Sequence, residues 1–204
     1  MQKSSMTHIP IPDDIAVVVL DMDGTIYRKP CMAWYMICKQ WRYLSSLIAE
    51  RRWRKVQRKA LSSQQSAINS QPFSDKWYKD SYLLAMVDII RQHYRPQEWL
   101  QPMLEECKRR GIKIAILSDY EEVEDKLHAL GLNPADFDAI LATGDFDTIK
   151  PDKRLGTILL HHLFPENTET NNAAFNWRQV LFIGDREDTD GQLAHALGAQ
   201  FIKV

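Results

Sequence analysis

Several features that would narrow the class of this 204-residue chain at once are missing from it. Charge of one sign is not in excess: 26 basic residues face 27 acidic ones, a formal net charge of -1, which excludes a uniformly basic nucleic-acid binder. Cysteine is scarce, and Cys31, Cys38 and Cys107 are odd in number without CxxC spacing, so neither a disulfide framework nor a structural zinc site is suggested. No apolar run approaches the length of a membrane span, and the opening MQKSSMTHIPIPDD has no apolar core of a signal peptide. A cytoplasmic protein with no membrane partner is the expectation. Hydrophobic content of 45% and charged content of 26% leave room for one full core and a small second module, without indicating a function.

What is present begins at residues 17–25, VVVLDMDGT. An unbroken apolar run that stops at Asp21, Met22, Asp23 and Gly24 reads as a buried parallel strand delivering two carboxylates to its carboxyl end, the edge where open α/β sheets keep their sites. Acids at i and i+2 there can offer one side chain and one backbone carbonyl to a common cation, and the glycine permits a tight turn.

The chain after this strand changes period. Trp34, Ile37, Cys38, Trp41, Leu44 and Ile48 recur at steps of three and four, which predicts one apolar face on a helix starting near Pro30 and continuing toward Lys59. Residues 62–72 have no period and predict a loop. Ser74 or Asp75 can cap a second helix, apolar on much of its circumference and so in need of cover on more than one side.

Alternation of helix and strand then resumes. Strands are expected at 112–117, 139–142, 180–183 and 201–204, helices between them, and a polar surface insertion at 165–177. The predicted fold is α/β: a Rossmann-like three-layer α/β/α core with a mainly parallel sheet, formed by residues 1–27 and 96–204, with a helical cap inserted over 28–95.

Three of these strands end in polar groups, at Asp21 and Asp23, at Ser118 and Asp119, and at Asp185 to Asp190, while Lys150 follows a fourth. A parallel sheet would gather all of them on one edge although 164 positions separate Asp21 from Asp185. Packed carboxylates need a cation, and oxygen ligands favour Mg2+ over zinc. A hydroxyl and a lysine beside a hard metal suit phosphoryl oxygens, where positioning and charge stabilisation carry most of the catalysis.

The combination DMDGT at 21–25, Ser118, Lys150-Pro151 and GDREDTD at 184–190 resembles the haloacid dehalogenase superfamily of aspartyl-phosphate phosphohydrolases. The resemblance implies Asp21 as nucleophile, and Asp23 as the acid and then base whose carbonyl also ligates Mg2+. It implies Thr25, Ser118 and Lys150 as phosphoryl-binding groups, Asp185 as a metal ligand, and Asp190 as the holder of a metal-bound water, with Asp188 an alternative. The second acid of DxD, absent from the family's dehalogenases, argues for a phosphate ester. The expected activity is hydrolysis of a small phosphorylated metabolite. Phosphotransferase or phosphomutase chemistry, a non-catalytic protein binding an anionic partner through a basic cap, and a signalling receiver domain are the alternatives.

The cap is polarised. Residues 39–59 carry eight basic side chains against Glu50 alone. They are expected to form a solvated helix face, with the neighbouring tryptophans packed inside the module. Attraction of an acidic substrate is the second reading, and nucleic-acid binding is disfavoured. Asp119 is left as an orienting group for Ser118, a contact to the cap boundary, or a helix cap.

Overall fold

Four consecutive apolar residues, Val17–Leu20, form β1 and all four are buried, as required of a strand covered on both faces. The structure, a computed structural model, describes residues 8–62, 74–165 and 175–204. The expected loop at 62–72, apart from Ser62, which ends a helix, and most of the expected insertion at 165–177 lie outside the described residues.

Strands β2 (Lys113–Ser118), β3 (Ala139–Ala142), β4 (Val180–Gly184) and β5 (Gln200–Lys203) join β1 in one sheet of order β3-β2-β1-β4-β5. Every pairing in it is parallel, with Leu20 beside Ile116 on one side and Ile183 on the other. Position 21 therefore leaves the sheet between the ends of β2 and β4. Two apolar clusters, one on each face, make the three-layer α/β/α arrangement.

The inserted region after β1 is helical, in pieces: α1 (Met32–Lys39), α2 (Leu44–Ser62), α3 (Asp75–Trp77) and α4 (Leu84–His93), with a π-helical stretch Tyr78–Leu83 joining the last two. The helix expected to run from Pro30 toward Lys59 is interrupted by a 3-10 turn, Trp41–Tyr43. The cause is Gln40, a buried polar residue whose amide bonds Ser81 at 2.9 Å and accepts from Trp77 Nε1 at 3.1 Å. Satisfying those groups fixes the chain direction at position 40.

The apolar face expected from Trp34 to Ile48 is not buried. Trp34 is 64% exposed and Trp41 69%, and Ile37, Leu44 and Ile48 are exposed as well. Helix α1 instead turns Met32, Tyr35 and Met36 inward, packs on α4, and stacks Tyr35 on His93 with ring centroids 4.1 Å apart. Both faces of α1 are apolar, so periodicity could not choose between them. Contact with α4 did.

Helix α4 has the expected need for cover on two sides, and it packs against α1 and against α6 (Val123–Ala129). The basic stretch divides. Arg51, Arg52 and Lys55 are solvated, but Arg54 is buried and Arg58 nearly so. Arg54 pairs with Glu50, bonds the Asp119 carbonyl at 2.8 Å and Tyr78 Oη at 2.6 Å, and lies 4.0 Å over the Tyr120 ring. Removing one partner of a buried pair of this kind costs about 3–5 kcal/mol, so Arg54 ties α2 to the core. Helices α5 (Leu100–Arg110), α7 (Arg154–Leu163) and α8 (Gln192–Leu197) complete the layers.

Candidate active site

Strand register brings distant acids to one edge. Asp21 and Asp23 follow β1, Ser118 is the last residue of β2, Asp185 follows β4, and Lys150 lies in the segment between β3 and α7. Lys150 Nζ sits 2.5 Å from Asp21 Oδ1, 2.6 Å from Asp190 Oδ1 and 3.0 Å from the Leu117 carbonyl. The ammonium is buried, and although burial disfavours its charge, Asp190, Asp21 and Asp119 outweigh that cost and hold it protonated.

Asp21 is the crowded member. Burial pushes its carboxyl up to about 6 against the attraction of Lys150, and Asp190 adds to the rise. Thr25 Oγ1 donates to Asp21 Oδ2 at 3.0 Å, so it meets the first acid of the motif directly. The backbone around these acids has no room for side chains: a Cβ on Gly24, at φ +109°, would collide with the Asp185 carboxylate, and one on Gly184 would lie 2.5 Å from Asp190 Oδ2.

Asp23 sits in a different environment. Lys126 Nζ bonds its Oδ2 at 3.0 Å, Tyr27 Oη its Oδ1 at 2.5 Å, and Ser118 Oγ approaches Oδ2 at 3.3 Å. Burial raises the Asp23 carboxyl, but Lys126, Lys29 and the Tyr27 hydrogen bond together hold it below the ordinary carboxylate range. Two acids two residues apart are thus driven in opposite directions, a pattern that separates their chemical roles.

Asp119 connects the layers. Its Oδ1 accepts the Lys150 backbone N–H at 2.9 Å and its Oδ2 the Arg58 guanidinium at 2.9 Å. Of the three readings left open for this residue, the structure favours the link to the inserted helices. Asp190 is buried and bound to Lys150, whereas Asp188 is an exposed residue paired with Arg186.

A polar cavity of about 80 Å³ lies over this edge, lined among others by Asp21, Asp23, Lys150, Asp185, Arg58 and Arg186. Carboxylate oxygens of Asp21, Asp185 and Asp190 fall within 4.8 Å of one another. Asp185 Oδ1 is buried without a hydrogen-bond partner, and the Lys29 ammonium rests on the Asp23 carbonyl and 3.5 Å from Asp185 Oδ2. An orphaned carboxylate oxygen, and a lysine standing where positive charge is wanted, fit a hard divalent cation.

Four residues here are absent from the sequence-based set. Lys126 had a legible signal, since it shares a helix face with Val123, Leu127 and Leu130, all buried. A lysine at such a position needs a buried partner. Tyr27 and Lys29 carried no such signal, and Arg58 carried only the one it shares with the rest of the basic stretch 39–59, whose acidic-substrate reading did not single it out.

The fold recurs in solved structures. Over 93% of this chain and 85% of theirs, the structure superposes on CbbY from Rhodobacter sphaeroides in complex with phosphate (TM-score 0.64, 16% identity). A HAD phosphatase from Thermococcus onnurineus gives a TM-score of 0.63 at 18% identity, over 93% of this chain and 86% of that one. A hydrolase from Streptococcus pneumoniae gives 0.54 at 15%, over 94% and 93%. At these identities the likeness is one of fold. No curated protein shows detectable sequence similarity to the chain. The family model of haloacid dehalogenase-like hydrolases, however, matches residues 18–204. The chain belongs to the haloacid dehalogenase-like hydrolase family.

Proposed function

We propose that the protein hydrolyses phosphate monoesters through an aspartyl-phosphate on Asp21. The observation that carries the reading is the pair of opposed environments: Asp21 against Lys150 at 2.5 Å, and Asp23 against Lys126 at 3.0 Å, both at one polar cavity. An Asp21 oxygen attacks phosphorus and the ester P–O bond breaks, its electron pair leaving with the alcohol oxygen. Asp23 gives that oxygen a proton. Water then attacks the phosphoryl group, Asp23 takes a proton from it, and the Asp21 carboxylate is released with inorganic phosphate. The depressed Asp23 carboxyl is ionised and so available to take the proton from water, while the acid half draws on its minor protonated form.

Lys150 neutralises charge on Asp21 and the phosphoryl group, and Thr25 fixes the orientation of the nucleophile. Ser118 holds the Tyr120 backbone turn, its Oγ accepting from Tyr120 N at 3.1 Å, and so keeps its hydroxyl beside Asp23. Arg58 and Arg186 bring further positive charge to the cavity wall. Mg2+, held by Asp21, the Asp23 carbonyl and Asp185 with Asp190 on its bound water, would supply charge neutralisation at the transferring phosphoryl group. In this reading the core is residues 1–27 and 96–204, and 28–95 is the cap that closes the site from water.

The test is turnover of p-nitrophenyl phosphate with Mg2+, together with acid-quench trapping of radiolabelled phosphate on the protein. Wild type should release phosphate and retain label, and Asp21→Asn should do neither. Undiminished turnover by a pure Asp21→Asn preparation would remove Asp21 as nucleophile.

A further inference from the structure

A second cavity adjoins the polar one. It has a volume of about 280 Å³ and shares Asp23, Lys29 and Tyr120 with it, so the two meet at the acid that serves the leaving oxygen. The walls of this second space are mostly apolar: Met32, Met36, Leu47, Tyr82 and Met86 line it, and most of them are buried. Its outer wall is formed by Ile37, Leu44 and Ile48, each between 38% and 45% exposed, so the space reaches from Asp23 to the surface. Beyond that mouth the same helices expose Trp34 and Trp41, with Arg51 at the edge and Arg42 lying 5.9 Å over the Trp41 ring. This is the apolar face that the sequence would have buried.

From this we infer that the substrate is an amphiphilic phosphomonoester: its phosphoryl group occupies the polar cavity, and the alcohol it leaves behind is a long apolar chain lying in the second cavity and out along the Trp34–Trp41 surface. The inference rests on the hydrolase reading above and supplies its substrate class. A sugar or a carboxylate-bearing leaving group would lose hydration along the methionine and leucine side chains, which offer no hydrogen bonds in return. An alkyl chain gains there instead, and flexible methionines adapt to its shape. Charged groups are confined to a few places in this wall: Asp23 and Lys29 where it joins the polar cavity, Arg51 at its edge, and Glu50, which is buried and pairs with Arg54. The exposed aromatic and basic rim suits the head-group zone from which such molecules are drawn, where tryptophan and arginine each find one apolar and one charged neighbour.

The experiment is a homologous series of alkyl phosphates, from ethyl to decyl, kept below their aggregation concentrations and compared with glucose 6-phosphate. Binding to the metal-free protein is measured by calorimetry and kcat/KM with Mg2+ by phosphate release. Affinity and kcat/KM should each rise roughly fourfold per methylene until the chain reaches the mouth. Leu47→Gln, which places an amide in the wall, should flatten that slope, read as the ratio of octyl to ethyl phosphate. A parallel arm offers phosphomonoesters of increasing chain length in phosphatidylglycerol vesicles. A rising slope there identifies a bilayer lipid, and a slope confined to dispersed chains identifies a soluble amphiphile, either of which carries the inference. Equal binding across the series, or preference for glucose 6-phosphate, overturns it even when phosphate is released. Chain-length-dependent binding without phosphate release would sustain the pocket and sink the hydrolase reading.

Discussion

Replacing Asp21 by Asn should make the metal-free protein more stable. Burial lifts the Asp21 carboxyl from 3.8 to about 6, a rise of about two units. At 1.36 kcal/mol per unit the folded state carries a penalty of about 3 kcal/mol once the group is ionised. Between these two values the folded chain holds a proton that the unfolded chain has lost, so stability falls as pH rises through that window and is constant above it. Asparagine keeps the shape of the neutral acid and has no charge to bury, and Lys150 retains Asp190 at 2.6 Å. At pH 8 in chelator the variant should therefore melt about 6–12 °C higher, taking roughly 2–4 °C per kcal/mol for a chain of this size. At pH 5 the difference should shrink to about half, because the wild-type carboxyl is then largely protonated. If the proposed Mg2+ site is formed with Asp21, Mg2+ should close the gap from the other side, because a ligand of the wild-type carboxylate stabilises it by mass action. The assay is thermal denaturation of both proteins across pH 4.5–8, with chelator and with Mg2+. An Asp21→Asn protein no more stable than wild type at pH 8 without metal would refute the reasoning, as would a gap independent of pH.

Two further substitutions probe the flanking charges. Lys126→Met leaves Asp23 buried with less to offset its burial, so its carboxyl rises, and the limb of the pH–rate profile that reports it should move to higher pH. Because the Asp23–Lys126 pair stabilises above the carboxyl's unfolded value and fades as pH falls through its depressed folded one, the variant should lose about 3–5 kcal/mol at pH 7 and less in acid. An unmoved profile would show that Lys126 does not tune Asp23. Arg58→Gln removes a cation from the polar cavity while Asp119 keeps the Lys150 N–H. A charged hydrogen bond lost at the phosphoryl group predicts a fall of roughly ten- to hundred-fold in kcat/KM for p-nitrophenyl phosphate, and unchanged kinetics would place Arg58 in a purely structural role.

The sequence by itself determined the parallel core. Apolar runs that end in acid, interleaved with helical periods, have few ways to bury themselves other than a covered parallel sheet, and such a sheet must collect Asp21, Ser118, Lys150 and Asp185 on one edge. Element boundaries shifted by a residue or two, and the order of motifs along the chain was enough to recognise the family. What only the tertiary structure decided lies in the inserted helices. Helix α1 is apolar on both faces, and its contact with α4 put Met36 inside and left Trp34 outside. The run of basic residues on α2 looked uniform, yet one arginine is buried against Tyr120 and another faces the polar cavity, because which side of a helix meets the core depends on residues far away in the chain. Local sequence sets what a segment can bury; long-range packing sets what it does bury, and here that choice formed the apolar cavity beside Asp23.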